Sequence, residues 1–219
     1  MVYSMTEHDY DGHLFCAHQD TEEARGGLCK WDMRPARVGV YSHINSGELG
    51  TLSANGVRGA IKKACERWEE VCGIQFFYPN SAREAHIVIG AGIQREGPGG
   101  TLAWSELPCG PDRQLQQQYD RRERWVIADN PPRGSIDLIR VVCHEIGHAI
   151  GISHIGSGNL LAPTYSTRIK GPQAGDIVEA QARYGRPQPK DDPEPDPDSV
   201  KPENQIKLIL GPDGVVRWE

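Results

Sequence analysis

Eleven residues constrain this 219-residue chain more than any other stretch: His144-Glu-Ile-Gly-His148-Ala-Ile-Gly151-Ile-Ser-His154. Apolar residues recur at Ile136, Ile139, Val142, Cys143, Ile146 and Ile150, which predicts a helix from a Ser135 cap to Gly151. On such a helix His144 and His148 project from one face, one turn apart. Two neutral imidazoles so placed can grip Zn²⁺ at ~2.0–2.1 Å. Glycine takes positive φ without penalty, so Gly151 can turn the chain sharply and bring up His154 as a third ligand. Three protein ligands leave one position for water, the mark of a catalytic rather than a structural site. Glu145 lies beside the first ligand and can reach that water without binding the metal. A zinc ion polarises a carbonyl and lowers the pKa of its water toward ~7. Glu145 then serves as general base and delivers the proton to the leaving amine. The pattern points to metal-assisted hydrolysis of peptide bonds. A lone His-Glu-x-x-His arises by chance in ordinary helices; Gly151 and His154 at these offsets make it specific.

Around this stretch the chain alternates strand-like and helical runs. Arg37–Tyr41, Ile74–Tyr78, His86–Ile89, Thr101 to about Glu106, and Trp125–Ala128 read as strands. Val57, Ala60, Ile61, Ala64, Trp68 and Val71 lie on one face of a helix capped by Ser53 or Asn55. A third helix covers about Gln173 to Tyr184. Residues 1–30 are polar and without a period, an arm or short pro-segment, which leaves 31–185 as the catalytic domain. Residues 186–203 form a proline-rich acidic linker that cannot build a core. Residues 204–219 read as strand, turn, strand, an appendage whose partner is left open.

Lys and Arg number 24 against 30 Asp and Glu, a net charge of −6 with no basic stripe, which argues against a nucleic-acid surface. No apolar run approaches the ~20 residues of a membrane span. The N-terminus lacks the pattern of a signal peptide. A cytoplasmic location is the default, with secretion by another route or a trimmed leader as the alternative. On that basis most of the six cysteines are expected as free thiols. Cys65 and Cys72, seven apart on a helix, are ~10 Å apart and too far for a disulfide.

The motif and its surroundings resemble the matrixins, the matrix-metalloprotease branch of the metzincins. The resemblance runs from Lys30-Trp31 to Tyr184-Gly185 and includes Glu66-Arg-Trp68, His86-Ile-Val-Ile89, Gly100-Thr-Leu-Ala103 and Asp176-Ile177. It implies an α+β fold: a five-stranded twisted sheet with an antiparallel edge strand, and three helices. It also implies a protein or peptide substrate bound in extended form along Leu102-Ala103-Trp104 by strand addition, unless the chain's own loop covers that strand. Pro163, Thr164 and Tyr165 would form the opposite wall of the S1′ pocket. Arg140 would lie near its floor, where it could plug the pocket and favour a medium apolar P1′ residue, or else point to solvent. Leu161 stands where the family has the methionine of its Met-turn.

The resemblance implies one catalytic zinc. The family's structural zinc is not expected, because Trp104 and Val126 stand at or near its histidine positions, and calcium is doubtful. Pro108-Cys109-Gly-Pro-Asp112 is a broken version of the family's cysteine switch and reads as a turn. Cys16, Asp9, Asp11 or Asp20 of the arm could cap the metal instead. The leading expectation is an active zinc endopeptidase; the alternative is a metzincin-like module that binds zinc or peptide without cutting.

Overall fold

Short β-rich runs and three amphipathic helices have to cover each other's apolar faces, and a mixed sheet flanked by helices results. The computed structural model describes residues 15–16, 29–33, 36–94, 98–109, 114–187, 208–210 and 216–218. They fall in two compact units, Met1–Pro187 and Gln188–Glu219. In the first unit the elements run β1 (Phe15–Cys16), β2 (Arg37–Ser42), α1 (Ala54–Glu69), β3 (Gln75–Phe77), a 3₁₀ turn (Ala82–Glu84), β4 (Ile87–Gly92), β5 (Thr101–Ser105), β6 (Leu115–Asp120), β7 (Trp125–Val126), β8 (Ile136–Asp137), α2 (Leu138–Ala149) and α3 (Ala174–Tyr184). The second unit holds an antiparallel pair, β9 (Leu208–Leu210) and β10 (Val216–Trp218). The residues between these two strands lie outside the described ones. The linker beyond Pro187, most of the arm and the capping candidates Asp9, Asp11 and Asp20 lie outside the described residues.

The main sheet has the order β1-β5-β6-β4-β2-β3. The five strands from β5 to β3 are the mixed sheet expected, parallel throughout except for the antiparallel β5–β6 pair. Two features differ from expectation. The fifth strand is β6, Leu-Gln-Gln-Gln-Tyr-Asp, whose polarity hides it from a search for apolar runs. Its inward positions alternate, with Leu115, Gln117 and Tyr119 buried and Gln116 and Gln118 exposed. Trp125–Val126 belongs instead to a separate two-stranded pair with β8. The second difference is that β5 is not outermost: β1 runs parallel beside it, Phe15 opposite Thr101 and Cys16 opposite Ala103.

Ser53 caps α1 by accepting a hydrogen bond from the Gly56 amide at 3.0 Å. Val57, Ala60, Ile61, Ala64 and Trp68 face the core. The fully buried Trp68 donates its indole N–H to the Cys143 carbonyl at 2.8 Å, which locks α1 against α2. α2 starts two residues later than expected, with Asp137 rather than Ser135 at the cap, because Ile136–Asp137 is taken up in pairing with β7.

Cys29 and Cys109 form a disulfide, a correction to the expectation of free thiols. Their separation of 80 residues gives no sequence signal, and only the fold brings their Cα atoms to 4.4 Å. Cys65, Cys72 and Cys143 are buried free thiols. Burial pushes Cys72 up to about 11 and Cys143 up to about 12, and raises Cys65 as well.

Candidate metal centre and active-site cleft

His144 and His148 lie four residues apart on α2, and Gly151 ends the helix with φ +95°. The Gly151 amide donates to the His148 carbonyl at 2.7 Å, and the Ile152 amide to the Gly147 carbonyl at 3.0 Å. This tight reversal brings His154 to the other two. The ring centroids are 4.8 Å apart for His144–His148, 4.8 Å for His148–His154 and 5.6 Å for His144–His154. The three ligand atoms all lie within 4.8 Å of one another.

Two backbone carbonyls set the tautomers. His144 Nδ1 is 2.7 Å from the Leu160 carbonyl and His148 Nδ1 is 2.7 Å from the Ile152 carbonyl. A carbonyl only accepts, so each Nδ1 carries the proton and each Nε2 presents its lone pair. The two Nε2 atoms are 3.0 Å apart. Ligands ~2.05 Å from a tetrahedral ion lie about 3.3 Å apart, so this spacing fits a shared cation. Two lone pairs facing at that distance repel unless a cation holds them. The donor set therefore fits zinc, and the outer hydrogen bonds are those that usually orient such ligands.

The turn beneath the histidines is held by one carboxylate. Asp176, in the first turn of α3 and fully buried, accepts from the amides of Leu160 at 2.7 Å, Leu161 at 3.0 Å and Gln173 at 2.7 Å. Leu161 is fully buried, and its methyls lie 2.7 and 3.1 Å from where a Cβ on Gly147 would sit. It forms an apolar floor under α2, and Gly147 is needed for that close approach. Asp176-Ile177 is one of the stretches that carry the family resemblance, but the spacing of Asp176 from Leu160 offers no local signal.

Glu145 is fully buried and lines a cleft beside His144. Leu102, Arg140, Pro163, Thr164 and Tyr165 line the same cleft, so five side chains named from the sequence come together there. Ala103 is buried on β5, opposite Tyr119, and is not part of the lining. Arg140 does not point to solvent: it is 3% exposed, its Nε is 3.5 Å from Asp137 Oδ2, and it donates to the Asp129 carbonyl. The Tyr165 hydroxyl accepts from the Asp137 amide at 3.1 Å. Burial raises the Tyr165 pKa, opposed by that bond and by the neighbouring guanidinium.

At the far end of β6, Arg122 donates to both carboxylate oxygens of the buried Asp120, at 3.1 and 2.8 Å, and to the Gln94 carbonyl. A cationic side chain thus already sits among these oxygens.

The model of the Matrixin family matches residues 37–185. The chain is similar to stromelysin-3 of Xenopus laevis, 32% identical over 164 residues, which is 71% of this chain and 33% of the relative. Stromelysin-3 of Mus musculus is 33% identical over 141 residues, 60% of this chain and 28% of the relative. Matrix metalloproteinase-26 of Homo sapiens is 26% identical over 170 residues, 73% of this chain and 61% of the relative. The chain spans about a third of the length of the two stromelysins it matches.

Proposed function

Because the chain belongs to the matrixin family, we propose that it is a zinc-dependent endopeptidase whose ligands are His144, His148 and His154 and whose general base is Glu145. The observation that carries this reading is the pair of Nε2 lone pairs held 3.0 Å apart by carbonyl-fixed tautomers, with a buried carboxylate one residue along the helix. Bound there, zinc would supply Lewis-acid polarisation and make a water acidic near neutral pH. Glu145 would take a proton from the attacking water and hand it to the departing amine. An extended protein substrate would lie along β5, with one side chain entering the cleft walled by Leu102, Pro163, Thr164 and Tyr165. Arg140, held by Asp137 and the Asp129 carbonyl, would close the bottom of that cleft.

In this reading the arm keeps the enzyme latent. β1 occupies the outer edge of β5 and runs parallel to it, so the strand-addition site is filled by the chain itself. A substrate paired antiparallel would have to displace it. The Cys29–Cys109 disulfide suits an oxidising compartment, which favours the secreted alternative over the cytoplasmic default. Among the described residues, no helix is long and apolar enough to cross a membrane.

The test is hydrolysis of a casein-type substrate by the zinc-loaded chain, with and without residues 1–28. Chelator-sensitive cleavage is expected, stronger without the arm, with Glu145→Ala reducing it about 10²–10⁴-fold. Equal, chelator-insensitive rates in wild type and Glu145→Ala would leave the non-cutting zinc or peptide module as the better reading.

A further inference from the structure

Gln117, on β6, is the one glutamine of its strand that points inward, and it is fully buried. Its amide nitrogen donates to Ser105 Oγ at 3.1 Å and to the backbone carbonyl of Glu145 at 2.9 Å. Its amide oxygen accepts from the Tyr119 hydroxyl at 3.2 Å. Both amide protons and the acceptor are thus used, and a fully satisfied buried network of this kind is rigid. The two partners of the NH₂ group belong to different parts of the site. Ser105 ends β5, the strand proposed to carry the substrate, while Glu145 is the proposed general base on α2. One planar amide therefore spans the gap between the strand that holds the scissile bond and the helix turn that holds the base.

We propose that Gln117 is a positioning residue for the hydrolytic reaction: it fixes the distance from β5 to the Glu145 turn. The inference rests on the endopeptidase reading and deepens it. A packing role needs only an apolar side chain of similar size at this position. The hydrogen bonds to two elements with separate tasks are what a register between substrate and base requires. A base misplaced by a fraction of an ångström still lets substrate bind along the strand but slows proton transfer. The effect falls on kcat and spares KM.

The test uses the zinc-loaded full chain and Gln117→Met, which keeps length and flexibility but cannot bridge. Its kcat is expected to fall about tenfold with KM unchanged, zinc content intact and the melting transition still cooperative. Acetohydroxamate, a zinc-binding probe able to hydrogen-bond to Glu145, gives a readout without turnover. Its affinity should fall about fivefold in Gln117→Met, and the same substitution made on Glu145→Ala should change nothing further. An equal fall in both backgrounds, no fall, or a loss confined to KM or to zinc content overturns the positioning role. A wild type that binds acetohydroxamate but cleaves nothing sinks the endopeptidase reading and leaves the coupling between Gln117 and Glu145 readable. A wild type that binds no acetohydroxamate overturns both.

Discussion

A Cβ built on Gly151 would lie 1.8 Å from the carbonyl oxygen of Cys29. The end of the arm and the segment that follows it are therefore laid directly over the turn of the zinc motif. It is pinned there by the Trp31 indole, which donates to the Ala149 carbonyl at 2.9 Å, and by the Tyr184 hydroxyl, which accepts from the Trp31 amide and donates to the Ile150 carbonyl. Gly151 serves two ends at once: positive φ for the reversal toward His154, and room for the crossing chain. Gly151→Ala meets both a disfavoured φ and a backbone clash, so a loss of about 3 kcal/mol or more is expected. Denaturant unfolding of the two proteins checks it; a change within about 0.5 kcal/mol, the range of ordinary surface substitutions, would contradict the packing described.

Asp176 is expected to act on the proposed metal site through the turn it holds. Asp176→Asn puts an NH₂ where one or more of three amide donors now find an acceptor, leaving buried N–H groups unsatisfied at roughly 1–3 kcal/mol each. The Leu160 carbonyl that orients His144 belongs to the same turn. Zinc affinity, measured by competition with a chromogenic chelator, should weaken about 10–100-fold, the usual cost of losing outer-sphere support. Wild-type affinity in a folded variant would refute the link.

These two residues show where the sequence was legible and where it was not. His144, Glu145, His148, Gly151 and His154 work through one helix and one turn, so their spacing alone carries their geometry. α1 and α3 were equally readable, since a 3.6-residue apolar period and end signals such as Ser53 are local. β6 was not, because its partners β4 and β5 bury a glutamine inside, and only the sheet supplies Gln117 with Ser105, Tyr119 and the Glu145 carbonyl. The Cys29–Cys109 bridge and the pairing of β1 with β5 were hidden for the same reason: both join segments more than 75 residues apart whose local sequence is indifferent to the contact.

Asp120 gives the fold an acid-sensitive corner. Burial alone would push its carboxyl up, but hydrogen bonds from Arg122 and its charge outweigh that and hold it below the ordinary value. A carboxyl with a depressed folded pKa contributes stability that is present above its unfolded value near ~3.9 and lost as pH falls through the folded one. Glu123, raised chiefly by burial, runs the other way: its contribution is present below its unfolded value and fades as pH rises through the folded one. Arg122→Leu should therefore be less stable than wild type near neutral pH, with the gap narrowing below about pH 4. Thermal melts at several pH values decide it; a gap that stays constant down to pH 2 would rule out the Asp120 linkage.

Reduction should act on one bridge and spare the buried thiols. The Cys29–Cys109 bond closes a loop of 80 residues, for which chain-entropy reasoning gives about 4.5 kcal/mol of stabilisation. The wild type should melt lower in reductant, and the double variant Cys29→Ser, Cys109→Ser should melt lower than the untreated wild type and be indifferent to reductant. Cys65, Cys72 and Cys143 hold raised pKa values because burial disfavours their thiolates, so at pH 8 the reactive form is scarce and shielded. Peptide mapping after iodoacetamide treatment should find these three unmodified in the folded protein and all three labelled in urea. Rapid labelling of Cys143 under native conditions would mean that the packing between Trp68 and α2 opens far more readily than the 2.8 Å hydrogen bond from Trp68 to the Cys143 carbonyl implies.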